Sequence, residues 1–457
     1  MSTQPTAPLT TSADGRAADL AGLRVTPGDL LVAEAPLPVL LQAVTASTAV
    51  VLGALVAAGS PGEPRLAPDV APFADVAVRP ASADEVGVLQ AWTRADLPIG
   101  RWDCGDADAA ASLRSSGFNR HMFLCGQSGS GKTYALGVLL EQLLIGTGLP
   151  MVILDPNADF VHLGTTRPDA EPTGAAVIEG TEVRVLGSNP PEEPLRMRFA
   201  TMPRAAQAAV LRLDPLRDRA EYNLFVTSFG QDRPVPAGVD AYVTSLLAGH
   251  HDERALGQRV QNLGLTDWEV WALDQASAAE VALGGARATV VDLAGLADPR
   301  EASAVCLDLV ERLWAARHER RPMLIVIDEA HNVCPAEPHG EVQERLVERL
   351  IQIAAEGRKY GLWLLLSTQR PSKVHQQVVS QCDNLMLMRM NSPADVADVA
   401  TLFGFAPPEM IARAPSFRQG EAVAAGRFAP CPMRVRMGDR LTVEGGSDVA
   451  VPPAPSR

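Results

Sequence analysis

The sequence predicts an α/β fold built on a mainly parallel sheet, and three stretches carry that expectation. The first is Gly126-Gln127-Ser128-Gly129-Ser130-Gly131-Lys132-Thr133, set between the apolar run His121-Met122-Phe123-Leu124-Cys125 and the apolar-rich residues 134–140. A buried strand therefore feeds a glycine loop that opens a helix. The second is Met323-Leu324-Ile325-Val326-Ile327, the unbroken apolar pattern of a strand whose sheet is covered by helices on both faces. The third is Leu362-Trp363-Leu364-Leu365-Leu366, which leads into Ser367-Thr368-Gln369. In open sheets of this kind ligands bind at the carboxyl ends of the strands.

Each stretch ends in residues suited to one chemistry. Glycines in the loop let successive backbone N–H groups turn inward on phosphates, and the positive end of the helix adds to their pull. Lys132 is placed to reach the β- and γ-phosphates of ATP or GTP, and the Thr133 hydroxyl to bind Mg²⁺. After the second strand, Asp328 is the expected outer ligand of that Mg²⁺ and Glu329 the general base for an attacking water. The bland alternative is an acidic strand end that caps a helix. Gln369, a neutral donor and acceptor at a strand end, suits the water or the γ-phosphate. Arg358, on the turn Glu356-Gly357-Arg358-Lys359-Tyr360-Gly361, is either a solvated basic turn or a cation offered to a neighbour's ATP.

In this order Arg120-His121, the GQSGSGKT loop, ILDPNADF (153–160), IDEAHN (327–332), EGRKYG, STQRPS (367–372), VSQCDN (379–384) and QGEA (419–422) resemble the HerA branch of the HerA–FtsK motor ATPases. The resemblance covers about residues 100–437. It implies a RecA-like P-loop core, a homo-hexameric ring with ATP held between subunits, and double-stranded DNA in the central channel. A partner nuclease (NurA-like) or another effector comes with it, as do Arg358 as a finger in trans and Asp155 near the nucleotide. Arg120 and Arg389 become candidates for sensing a neighbouring site. The family commonly reads Asp-x-His-Gly-Glu-Tyr where this chain has Asp155 to Phe160, with Ala158 in place of the glycine.

Composition bounds the rest. A net charge of −14 and six cysteines without a CxxC pair argue against an outer nucleic-acid coat, a disulfide framework or a zinc site. A cytoplasmic protein is expected, with no metal beyond Mg²⁺. Residues 1–18 read as a disordered arm and 19–98 as a small β-barrel, which the family resemblance also implies ahead of the motor. Yet no charge occurs from Ala35 to Gly62, long enough to raise a membrane span across 36–62. The ATPase domain is expected over 99–440, with a helical insertion at about 195–285, and a flexible tail over 441–457. The expected activity is ATP hydrolysis coupled to DNA translocation, in DNA end processing or phage defence. The alternatives are a nucleotide-gated scaffold that activates an effector, or a membrane-associated conjugation coupling ATPase.

Overall fold

Parallel strands buried on both faces organise the larger part of the molecule. The computed structural model describes residues 8–20, 22–56, 65–105, 107–189, 192–228 and 238–446. His121–Cys125 lies within a sheet of twelve strands, paired in parallel with Leu362–Thr368 on one side and Cys382–Met388 on the other. Beyond Leu362–Thr368 come Met323–Ile327, Met151–Asp155, Ala288–Asp292 and Val183–Gly187, all parallel. The other flank turns antiparallel through Glu421–Gly426, Met433–Met437, Leu97–Asp103 and Asp108–Leu113. Alternation along the strand explains its apolar sequence: Phe123 and Cys125 enter one hydrophobic cluster, Met122 and Leu124 another. A polar side chain here needs partners. His121 has them in the Ala354 carbonyl at 3.0 Å and Leu364 N at 2.9 Å, and burial pushes its pKa down to about 4.

Seven short antiparallel strands between Leu9 and Pro80 form a second sheet. Six of them close into a barrel, because Ala17–Asp19 pairs with both Leu9–Ser12 and Thr48–Val56. The arm expected over 1–18 is thus corrected from residue 9 onward, where Thr10 and Ser12 turn inward and hydrogen-bond the backbone of Asp19 and Ala17. Residues 1–7 lie outside the described residues. Val39–Ala43 is buried along its whole length. Leu41 fills the barrel, whereas Leu40 joins Leu97, Ile99 and Trp102 in the cluster under the large sheet. The charge-free run is therefore strand from 39 to 43 and from 48 to 56, and its end, 57–62, lies outside the described residues. Among the described residues no helix is long and apolar enough to cross a membrane. Arg434 ties barrel to sheet, with Asp29 at 2.8 Å and Asp103 at 2.9 Å.

After Val183–Gly187 the chain adds the short edge strand Glu193–Pro194, parallel to it, and then leaves the sheet for the helices Arg204–Val210, Arg219–Ser228, Val239–Leu247, His251–Asn262 and Ala278–Leu283 before Ala288–Asp292. The amphipathic run across 300–318 forms the helix Pro299–Ala315, whose Val305, Leu309 and Leu313 face the core.

The tail expected from 441 is corrected as well. Leu441 N and Thr442 N donate to the Glu141 carboxylate at 2.9 and 2.8 Å, and Arg440 lies fully buried 3.5 Å from the same group. Residues 438–446 are a strap fastened across the helix that follows the glycine loop, and 447–457 lie outside the described residues. Removing one partner of a buried ion pair leaves the other charge uncompensated. Arg440→Ala should therefore lower unfolding free energy by about 3–5 kcal/mol, read from the urea midpoint.

Candidate functional site

Lys132 is where the site comes together. Its helix, Lys132–Gly146, starts directly after Gly131, whose φ of 90°, like the 70° of Gly129, is a conformation that only glycine takes without strain. Gly126 is needed for space: a Cβ there would come within 2.7 Å of Met388 Cβ and 2.8 Å of Ser130 Oγ. The loop is braced from outside. Gln127 N donates to the Arg389 carbonyl at 2.9 Å, Arg389 Nη2 donates to the Gly129 carbonyl at 2.8 Å, and Gly420 N donates to the Ser130 carbonyl at 2.9 Å. Over the loop lies an open pocket of about 560 Å³ bordered by Gln127, Ser128, Lys132 and Thr133, with Gln369 and Gln419 on its walls.

Strand order brings the acids to this lysine. One strand, Leu362–Thr368, separates His121–Cys125 from Met323–Ile327, a lateral step of about 10 Å that the lysine stem and the acid side chains span together. Lys132 Nζ donates to Asp328 Oδ1 at 2.8 Å and lies 3.2 Å from Glu329 Oε1. The intervening strand necessarily ends between loop and acids. Its Ser367 Oγ accepts from Lys132 at 3.0 Å and donates to Asp328 Oδ1 at 2.7 Å, while Gln369 Nε2 donates to Glu329 Oε1 at 2.7 Å. Glu329 itself sits at φ 44°, a left-handed turn that a non-glycine residue adopts at a cost of about 1–3 kcal/mol. Such strain persists only where surrounding contacts fix it. Burial alone would lower the Lys132 pKa, and the charges of Asp328 and Glu329 more than reverse that, leaving it raised.

Asp155 closes the adjacent parallel strand. Its carboxylate accepts from the backbone of Asn157, Asp159 and Phe160, at 2.7 Å for the last, and so shapes the turn that follows. Burial outweighs these bonds and pushes its pKa up to about 7. Asp155 thus organises a loop beside the site, and Asp159 on that loop is raised to about 6 by burial and by the charge of Asp328.

Arg358 is elsewhere. It sits on the turn Gly357–Tyr360 ahead of Leu362–Thr368, whereas the lysine and acids gather at the far end of that strand, roughly 20 Å away. There its guanidinium bonds Asp383 Oδ2 at 2.6 Å, and Arg120 Nε lies 3.4 Å from the same oxygen.

With this geometry in view, the family of the HerA helicase central domain matches residues 97–230, and that of ATPases associated with various cellular activities matches 280–390. The chain is thus similar to the HerA-like ATPases. It is 23% identical over 417 residues to the DNA double-strand break repair helicase HerA of Sulfolobus acidocaldarius, covering 83% of this chain and 76% of that one. A probable helicase of Methanocaldococcus jannaschii is 29% identical over 129 residues, 28% of this chain and 24% of that one, so the chain spans about a quarter of that relative's length. The solved structure of VirB4 from Thermoanaerobacter pseudethanolicus shares the fold, with 13% identity, a TM-score of 0.53 and coverage of 76% of this chain and 96% of the other.

The residues singled out in the loop, together with Asp328, Glu329 and Gln369, come to one place, and Arg358 does not. Arg389 lies against its own loop and Arg120 at the far edge beside Arg358. Ser367, inside the STQRPS stretch, carried no expectation although it touches both Lys132 and Asp328. His331 was also missed: its Nδ1 is 3.1 Å from Thr368 Oγ1 and 3.2 Å from Glu329 Oε2, and burial holds its pKa below the usual histidine value. Where the family has glycine, Ala158 adopts φ 59° all the same.

The donor set fits a nucleotide with Mg²⁺. Asp328 Oδ2 and Ser130 Oγ are buried without a hydrogen-bond partner, which is costly unless a ligand supplies one. Selective carboxyl NMR on the nucleotide-free protein should show Asp159 titrating near 6. Asp328→Asn removes the neighbouring negative charge and should move that titration downward; an unchanged value would separate the two acids.

Proposed function

We propose that this chain hydrolyses ATP at the seams of a homo-hexameric ring and uses the energy to move along double-stranded DNA. Lys132 and the loop amides bind the phosphates, Thr133 and Asp328 hold Mg²⁺, Glu329 accepts the proton of the attacking water, and Gln369 orients that water. Mg²⁺, when bound, supplies charge neutralisation on the phosphates. Asp155 contributes by fixing the loop that carries Asp159. A cytoplasmic machine that works with a partner nuclease or another effector, in DNA end processing or phage defence, follows from the same reading.

One observation carries it. Arg358 lies at the opposite end of the sheet from its own phosphate loop, about 20 Å of rigid strand away, on a partly exposed turn. A cation so placed cannot serve the site of its own chain, and a second copy stacked against that edge would be needed to receive it. The double-sided burial of residues 39–43 speaks against the membrane-coupling alternative.

Glu329→Gln should bind ATP and lose turnover, and Arg358→Ala should also bind ATP and lose turnover, each by about 100-fold or more. Mixed together, the two variants should regain activity at interfaces that pair an intact Glu329 with an intact Arg358. No recovery across all mixing ratios would remove the arginine from the neighbour's site.

Long duplex DNA should raise the ATPase rate of the wild-type chain and allow it to displace a triplex strand. A rate that ignores DNA and responds only to an effector protein would favour the scaffold instead.

A further inference from the structure

A second pocket, of about 700 Å³, opens at the carboxyl ends of the same parallel strands and shares no lining residue with the pocket over the phosphate loop. Consecutive residues divide between the two: Gln369 borders the nucleotide pocket and Arg370 this one. Buried Leu293, Cys306 and Leu346 give it an apolar floor. Its exposed rim carries two cations, Arg370 and Lys373, against one acid, Glu337. Among the described residues both cations enter the hydrogen-bond network through their backbone alone, which leaves the charged ends free.

Two features tie this pocket to the catalytic acid. His331 borders it, with Nδ1 3.2 Å from Glu329 Oε2 and 3.1 Å from Thr368 Oγ1, the hydroxyl that also accepts from Arg370 N at 3.0 Å. Glu329 Oε2 is buried and has no hydrogen-bond partner, so a small turn of the imidazole decides whether that oxygen is bonded or left to a water. The second feature is a join between two loops. Ala336 N donates to the Lys373 carbonyl at 2.8 Å and His375 N to the Cys334 carbonyl at 2.9 Å, around an antiparallel bridge of Pro335 to Val374. A ligand that pulls on Arg370 or Lys373 therefore also pulls on the segment that carries His331. Both segments run straight back to Gln369 and Glu329.

Resting on the DNA reading above, we infer that this pocket takes the sugar–phosphate backbone of duplex DNA and that its occupancy reaches Glu329 through His331. A cationic rim over an apolar floor matches a strand in which phosphates alternate with the carbon faces of deoxyribose. His331 acts through Glu329 and is a positioning residue, distinct from the groups that hold phosphate.

The test titrates a random-sequence duplex into the full chain by fluorescence anisotropy at several salt concentrations, and measures ATP turnover with and without it. Arg370→Gln combined with Lys373→Gln should keep the basal turnover, bind duplex more weakly, lower the slope of log affinity against log salt by about two, and abolish stimulation by DNA. His331→Ala should bind duplex with the wild-type affinity and salt slope, keep the wild-type KM for ATP, and lose the stimulation. His331→Asn, whose amide keeps a donor near the Nδ1 position, should recover it. A double variant with the wild-type slope and stimulation overturns the site and leaves DNA-dependent turnover standing. Equal loss of basal and stimulated turnover in His331→Ala overturns the coupling, because a merely structural histidine behaves that way. Stimulation by polyglutamate to the level of duplex, lost in the same double variant, assigns the pocket to an acidic protein and overturns the inference as well. A wild-type chain that turns ATP over yet neither binds nor responds to duplex takes down the DNA reading together with this one.

Discussion

A buried ammonium dictates the arrangement of the site. Lys132 is 4% exposed, and taking such a charge out of water costs several kcal/mol unless anions and hydrogen bonds surround it. Asp328, Glu329 and the Ser367 hydroxyl meet that demand at 2.8, 3.2 and 3.0 Å. The dependence is mutual, since Asp328 is itself fully buried and would be uncompensated without the lysine. An anion bound at the loop would therefore compete with the acids for one cation. Gln369, already bonded to Glu329, can hold that carboxylate in place while the lysine changes partner.

Sheet topology converts this local requirement into a long-range one. Because a single strand lies between loop and acids, its end must fall inside the site and its beginning at the opposite edge. The same strand thus fixes Ser367 and Gln369 beside Lys132 and keeps Arg358 far from them. Rigid parallel pairing across Met323–Ile327, Leu362–Thr368 and His121–Cys125 leaves no hinge that would bring the two ends together. Communication between the ends has to pass through the sheet or through another copy of the chain.

Much of this was legible because it is local. The glycine loop needs its residues at fixed spacing, and the acids directly follow an apolar run, so a short window of sequence contains each. What was misread depends on distant partners. The strap at 438–446 resembles a tail because its anchor, Glu141, lies some 300 residues earlier in the chain. Val39–Ala43 resembles part of a membrane span because burial by barrel and sheet together removes the alternation that marks a strand with one wet face. Strands at Leu9–Ser12 and Ala17–Asp19 are short and polar, and their inward Thr10 and Ser12 are satisfied by backbone rather than by packing. Ser367 carries no diagnostic chemistry by itself; only the neighbouring strand reveals its two partners.

The two cations proposed for catalysis differ in how tightly their own chain holds them. Lys132 is sealed between buried acids, and breaking a pair of that kind costs about 3–5 kcal/mol. Arg358 instead shares the half-exposed Asp383 with Arg120, and exposed pairs are worth only about 0–1 kcal/mol. Two guanidiniums on one carboxylate leave that edge with a surplus positive charge. An anionic group on an adjoining surface would draw Arg358 away from Asp383 at little cost, with Arg120 remaining to neutralise the aspartate. In energetic terms, then, the lysine is suited to a permanent place in its own site and the arginine to a reversible engagement with another chain.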